Sequence, residues 1–94
     1  MNATFPITRP QLVSFARYRR DNIRDQHQIV YPEGVLVLNE TGFHIVKRLD
    51  GRTLDELIND LSRSFDGADV GPDVIEYLEG LFNHGLLRDV DTDS

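Results

Sequence analysis

YPEGVLVLNETG, residues 31–42, compresses a turn, a short strand and a helix start into one stretch, and its reading decides the fold. Pro32 supplies the φ near −65° that the second position of a type I turn wants. Gly34 follows where the chain needs positive φ, which predicts a three-residue hairpin loop with a bulge. The strand Val35-Leu36-Val37-Leu38 leaves that turn with two apolar faces, Leu36/Leu38 and Val35/Val37. Asn39 is a good N-cap and ends the strand by opening a helix that is expected to run through Leu49. Asp50-Gly51 closes it, with Gly51 as the left-handed C-cap.

Upstream, His27, Ile29 and Tyr31 alternate with Gln28 and Val30, the period-2 pattern of a half-buried strand. An earlier strand precedes the polar link Asp21 to Gln26. Residues 1–12 hold two prolines and no sustained periodicity and are expected to form a flexible N-terminal arm. Downstream, Thr53 and Glu56 form a capping box, followed by Leu54, Leu57, Ile58, Leu61 and Phe65 at helical spacing. A third helix starts at Pro72, with Asp73 and Glu76 favourable to its dipole. Its apolar positions are Val74, Ile75, Leu78, Leu81 and Phe82, and Gly85 ends it. The fold class expected is α+β: a three-stranded antiparallel meander followed by three helices in a domain over residues 13–88, then an acidic tail, 89–94. In the simplest meander Val35–Leu38 lies at a sheet edge.

The net charge of −6 is uneven. Residues 1–32 carry five Arg against two Asp, whereas residues 33–94 carry five basic against fourteen acidic side chains. There is no cysteine, no apolar run of membrane-spanning length and no secretory signal pattern, so a soluble cytoplasmic protein with no membrane partner is expected. His27, His44 and His84 lie on separate elements without metal-ligand spacing. The carboxylate pairs Asp55/Glu56 and Asp89/Asp91 sit on a helix start and in the tail, where helix-dipole complement and solubility explain them. No serine has a nucleophile-elbow context and no glycine-rich phosphate loop is present, so no enzyme activity, metal or cofactor is expected. The chain reads as a binding module. Gly80 stands inside the third helix, where glycine costs about 1 kcal/mol relative to alanine, and suggests a close approach by another element.

A winged-helix DNA-binding regulator is the alternative from another functional class. DNA readers neutralise phosphates with Lys and Arg, yet Ser64 to Leu87 contains neither. The third helix presents Asp73, Glu76 and Glu79 instead, which argues against a nucleic-acid partner.

From about Phe15 to Leu87 the chain resembles PqqD, the peptide chaperone of pyrroloquinoline quinone (PQQ) biosynthesis. The resemblance rests on Arg20-Asp21, Tyr31-Pro32-Glu33-Gly34, Leu38-Asn39, Asp50-Gly51-Arg52-Thr53, Asp73-Val74, Leu78, Leu81 and Gly85-Leu86-Leu87, in that order and spacing. It implies a winged-helix-like recognition domain for ribosomally made, modified peptides (a RiPP recognition element). Such a domain binds the leader of a PqqA-like precursor peptide and presents it to a PqqE-like radical S-adenosylmethionine enzyme. A recognition domain of another modified-peptide pathway fits the same resemblance.

In related domains the leader adds as a strand beside the third strand, in a groove shared with the third helix. That implies peptide-binding residues at Val35, Leu36, Val37 and Leu38, with Tyr77 and Leu81 as the favoured flank of the third helix over Ile75 and Phe82. If Leu36 and Leu38 face the core, Val35 and Val37 are the candidates to line the groove. An open edge can equally pair with a second copy of the chain, as a homodimer. Phe43, off the Ile45/Val46/Leu49 face, is expected to be exposed; a lone exposed aromatic is usually incidental, and an enzyme or dimer contact is the functional alternative.

Overall fold

The computed structural model describes residues 7–91. In chain order the elements are β1 (Pro10–Leu12), β2 (Arg17–Asp21), β3 (Gln26–Tyr31), β4 (Gly34–Leu38), α1 (Glu40–Val46), α2 (Leu54–Ser64), α3 (Gly71–Asn83) and β5 (Leu87–Asp89). The expected meander is present: β2, β3 and β4 form an antiparallel sheet in that order, followed by three helices. Among the described residues β4 is paired on one side only, so it is an edge of this sheet.

Each turn has a local cause. Asp21 accepts hydrogen bonds from the Ile23 and Arg24 N–H groups (3.0 and 3.2 Å) and so folds the link between β2 and β3. Between β3 and β4 the connection is tighter than the expected three-residue loop. Tyr31 and Gly34 are already register partners, which leaves Pro32-Glu33 as the turn. Gly34 has φ +157°, a value that glycine tolerates.

The Asn39 carboxamide accepts from the Gly42 N–H at 2.7 Å and starts α1 with no intervening linker. α1 ends at Val46, short of the expected Leu49. Leu49 is buried all the same, in the turn that follows. The capping box of α2 is complete: Thr53 N–H donates to Glu56 Oε1 at 2.8 Å, and Glu56 N–H donates to Thr53 Oγ1 at 3.1 Å.

The core gathers Ile29 and Leu38 from the sheet, Ile45 from α1, Leu57 and Leu61 from α2, and Val74, Leu78 and Leu81 from α3. The apolar stripes read from helical spacing therefore meet against one face of the sheet. Phe82 departs from that expectation, being 48% exposed at the end of α3.

The expected arm and tail are corrected where the structure describes them. β1 and β5 pair as a second, two-stranded antiparallel sheet, Pro10 opposite Asp89 and Leu12 opposite Leu87. Asp89 is buried and accepts from the N–H groups of Thr8 (2.9 Å), Arg9 (3.0 Å) and Asp91 (3.1 Å). Three-residue strands are too short for periodicity to announce, and each forms only because the other is present. The arm's residues 1–6 and the tail's residues 92–94 lie outside the described residues.

The Asp89 carboxyl is held below its ordinary value of 3.8, chiefly by the Thr8 N–H, with Arg9 and Asp91 adding to the effect. A depressed folded-state pKa contributes stability that is present above the unfolded value and lost as pH falls through the folded one. Asp89→Ala should therefore reduce the unfolding free energy by about 2 kcal/mol at neutral pH, by stranding three backbone donors. The gap between wild type and variant should narrow below pH 4. Urea melts from pH 7 down to pH 2.5 check both statements.

Candidate functional site

Side chains on β4 alternate between faces. Leu36 and Leu38 point toward the helices, and Leu38 is 5% exposed; Val35 and Val37 point to the opposite side and are 47% and 52% exposed. α3 runs beside this edge and leaves a groove with a cavity of about 730 Å³. Leu36, Val37, Leu38, Asn39 and Thr41 line one wall, and Asp73, Glu76, Tyr77, Gly80, Leu81 and His84 line the other.

Five of the six residues proposed from sequence come together here: Leu36, Val37, Leu38, Tyr77 and Leu81. Val35 lies outside the cavity. Of the pair Val35 and Val37, expected as groove-lining candidates if Leu36 and Leu38 face the core, Val37 lines the cavity, and the core-facing Leu36 and Leu38 line it as well. Of the two flanks of α3, Tyr77 and Leu81 face the cavity, whereas Ile75 and Phe82 do not line it.

Sequence reasoning missed most of the α3 wall. Asp73, Glu76, Tyr77, Gly80, Leu81 and His84 form one stripe at steps of three and four residues. Extending that spacing in both directions from Tyr77 would have found them.

Tyr77 ties the groove wall to α1. Its ring packs against the backbone of Gly42 in α1, where a Cβ would overlap the phenol oxygen and ring carbons. The Tyr77 phenol titrates above its ordinary value because burial disfavours the phenolate. Asp73 and Glu76 are exposed at the groove's margin. His84 Nδ1 bonds the Gly80 carbonyl at 2.9 Å, so its imidazole is held against the end of α3.

Phe43, expected to be exposed, is half-buried instead. Its ring stacks on His27 with centroids 3.8 Å apart and lies 5.8 Å from Tyr18, joining α1 to β3 and β2. Tyr18 Oη and His27 Nδ1 are 2.6 Å apart. His27 and His44 both contact this cluster. No three potential metal ligands are grouped among the described residues. No helix among them is long and apolar enough to cross a membrane.

Residues 26–87 match the family model described as coenzyme PQQ synthesis protein D (PqqD). A relative from Methylococcus capsulatus, named PqqA binding protein, is 34% identical over 86 residues, covering 90% of this chain and 92% of the relative. A protein of the same name from Xanthomonas oryzae pv. oryzae (strain PXO99A) is 37% identical over 82 residues, covering 84% and 89%. Among solved structures, the chain is similar to the PqqD truncation of Methylobacterium extorquens PqqCD. That protein is described as a functional, stand-alone RiPP recognition element. The TM-score is 0.72 at 27% identity, with 84% of this chain and 87% of that one covered.

The Gly42–Tyr77 contact predicts a non-additive pair. Gly42→Ala alone should destabilise by about 1–3 kcal/mol, because the added methyl must displace the ring. Gly42→Ala in a Tyr77→Leu background should do much less harm. Urea denaturation of the two single variants and the double variant measures the coupling.

Proposed function

The chain belongs to the PqqD family, and from that premise we propose that it is a non-catalytic peptide chaperone of PQQ biosynthesis. It binds a PqqA-like precursor peptide as an added strand along β4 and presents it to a radical S-adenosylmethionine enzyme. The observation that carries this reading is the free edge of β4 running beside an apolar groove.

The two edges of the sheet differ in chemistry. β2, at the far edge, is Arg17-Tyr18-Arg19-Arg20-Asp21, and its charges blunt it against pairing with another chain. β4 is Gly34-Val35-Leu36-Val37-Leu38 and carries no charge. An extended peptide on β4 gains main-chain hydrogen bonds from the edge, and the groove selects its side chains. Every second side chain of such a strand falls between Leu36/Leu38 and Tyr77/Leu81. The others lie beside Val35 and Val37 on the opposite face.

Register identifies the backbone groups available. Two-residue hairpin loops close on a hydrogen-bonded pair, here Tyr31 with Gly34. Hydrogen-bonded and non-bonded pairs then alternate, so the N–H and C=O groups of Val35 and Val37 point outward. Val37→Pro should leave the β3–β4 ladder intact, judged by an unchanged far-ultraviolet circular dichroism spectrum, while removing one outward donor. Titration calorimetry with a synthetic PqqA peptide should show affinity reduced about tenfold or more. Wild-type affinity in a folded Val37→Pro protein would rule out strand addition at this edge.

α3 exposes Asp73, Glu76 and Glu79, which repel phosphates, so duplex DNA should show no mobility shift at ordinary salt.

A further inference from the structure

Gly80 is unexplained by the folded chain. It sits within α3, three residues from the helix end, where glycine is a poor helix former. Its φ is not positive, and a Cβ built on it meets nothing within 4 Å. The close approach that would justify a glycine is therefore absent among the described residues. Contrast Gly42, where Tyr77 occupies the space a Cβ would take.

The bare backbone at Gly80 faces the groove. Tyr77 stands one turn before it and His84 one turn after, the latter bonded to the Gly80 carbonyl. Leu36 and Leu38 line the opposite wall. The result is a notch in an otherwise filled helix surface, with apolar walls and ring-bearing side chains at either end.

We infer that Gly80 is a specificity-determining residue: its missing side chain forms a subsite for one bulky apolar side chain of the bound peptide. This rests on the reading of the groove as a peptide site. The subsite deepens that reading by naming the chemistry a ligand must bring there. A large apolar side chain projecting from a strand on β4 toward α3 fills the notch and contacts helix backbone directly. A peptide with only small or charged residues at that register leaves the notch unfilled and loses the burial that apolar contact contributes.

Folding and binding should respond to substitution here with opposite signs, which a merely structural glycine would not produce. Gly80→Ala and Gly80→Leu improve helix propensity and have open space, so Tm should rise by roughly 4 °C. Affinity for synthetic PqqA peptide of Methylococcus capsulatus should fall, by about tenfold for leucine, because the notch is now occupied. Replacing the peptide's bulky apolar residues one at a time by alanine should find one whose loss no longer matters in the Gly80→Leu background. Glu79→Leu, on the same helix outside the groove lining, should leave affinity unchanged.

Unchanged peptide affinity in Gly80→Leu would overturn the subsite while leaving the groove reading intact. A lowered Tm in Gly80→Ala would overturn it too, by showing that the fold itself needs the bare backbone. Failure of the wild-type chain to bind the peptide at all would sink the groove reading and the subsite together.

Discussion

The groove depends on one close contact, the Tyr77 ring seated on the backbone of Gly42. A larger residue at position 42 would have to displace the Tyr77 ring, which also lines the groove. The contact is available because the Asn39 cap leaves no linker between β4 and α1. The end of the edge strand, the first turn of α1 and the middle of α3 are thereby held in one place. Val74 and Leu78, both buried, anchor the other side of α3 in the core.

Electrostatics separates the two edges of the sheet. The basic residues of the N-terminal third are largely on or next to β2, away from the groove. Several are neutralised locally: Arg20 by Asp25, Arg24 by Asp21 at 3.4 Å, and Arg9 by Asp91 at 3.1 Å. Another cluster lies where the α1–α2 connection meets α2. There Asp60 receives Arg48 Nε at 2.5 Å and Arg52 Nη1 at 3.2 Å. The Arg48 hydrogen bond is the main reason its carboxyl titrates below the ordinary range. These pairs, each with at least one exposed partner, hold loops in place and contribute modestly to stability.

Much of this was legible in the sequence because the signals were local. The Thr53/Glu56 box, the Asn39 cap and the Pro32–Gly34 turn each act within four residues, and each is where its residue types predict. The helical stripes located the core, and the order of the simplest meander placed Val35–Leu38 at an edge. What sequence reading missed is non-local. β1 and β5 are three residues each and separated by most of the chain, so neither has a pattern of its own. Asp89 looked like tail acidity and is a buried acceptor for the backbone of residues 8 and 9. Phe43 looked exposed because it left the apolar stripe of α1, and the ring that covers it, His27, comes from β3. The faces of β4 were read correctly as a pair of alternatives. Only the packing of α3 shows that the core-facing pair also walls the groove.

Strand addition makes a claim about specific backbone amides, and amide spectra of the protein with and without PqqA peptide test it most directly. The account predicts shifted resonances and slowed hydrogen exchange at Val35 and Val37, with accompanying shifts at Tyr77, Gly80 and Leu81. Changes confined to residues 9–24, with residues 35–38 and α3 silent, would mean that the basic stretch holds the peptide, and would contradict the edge-strand mechanism.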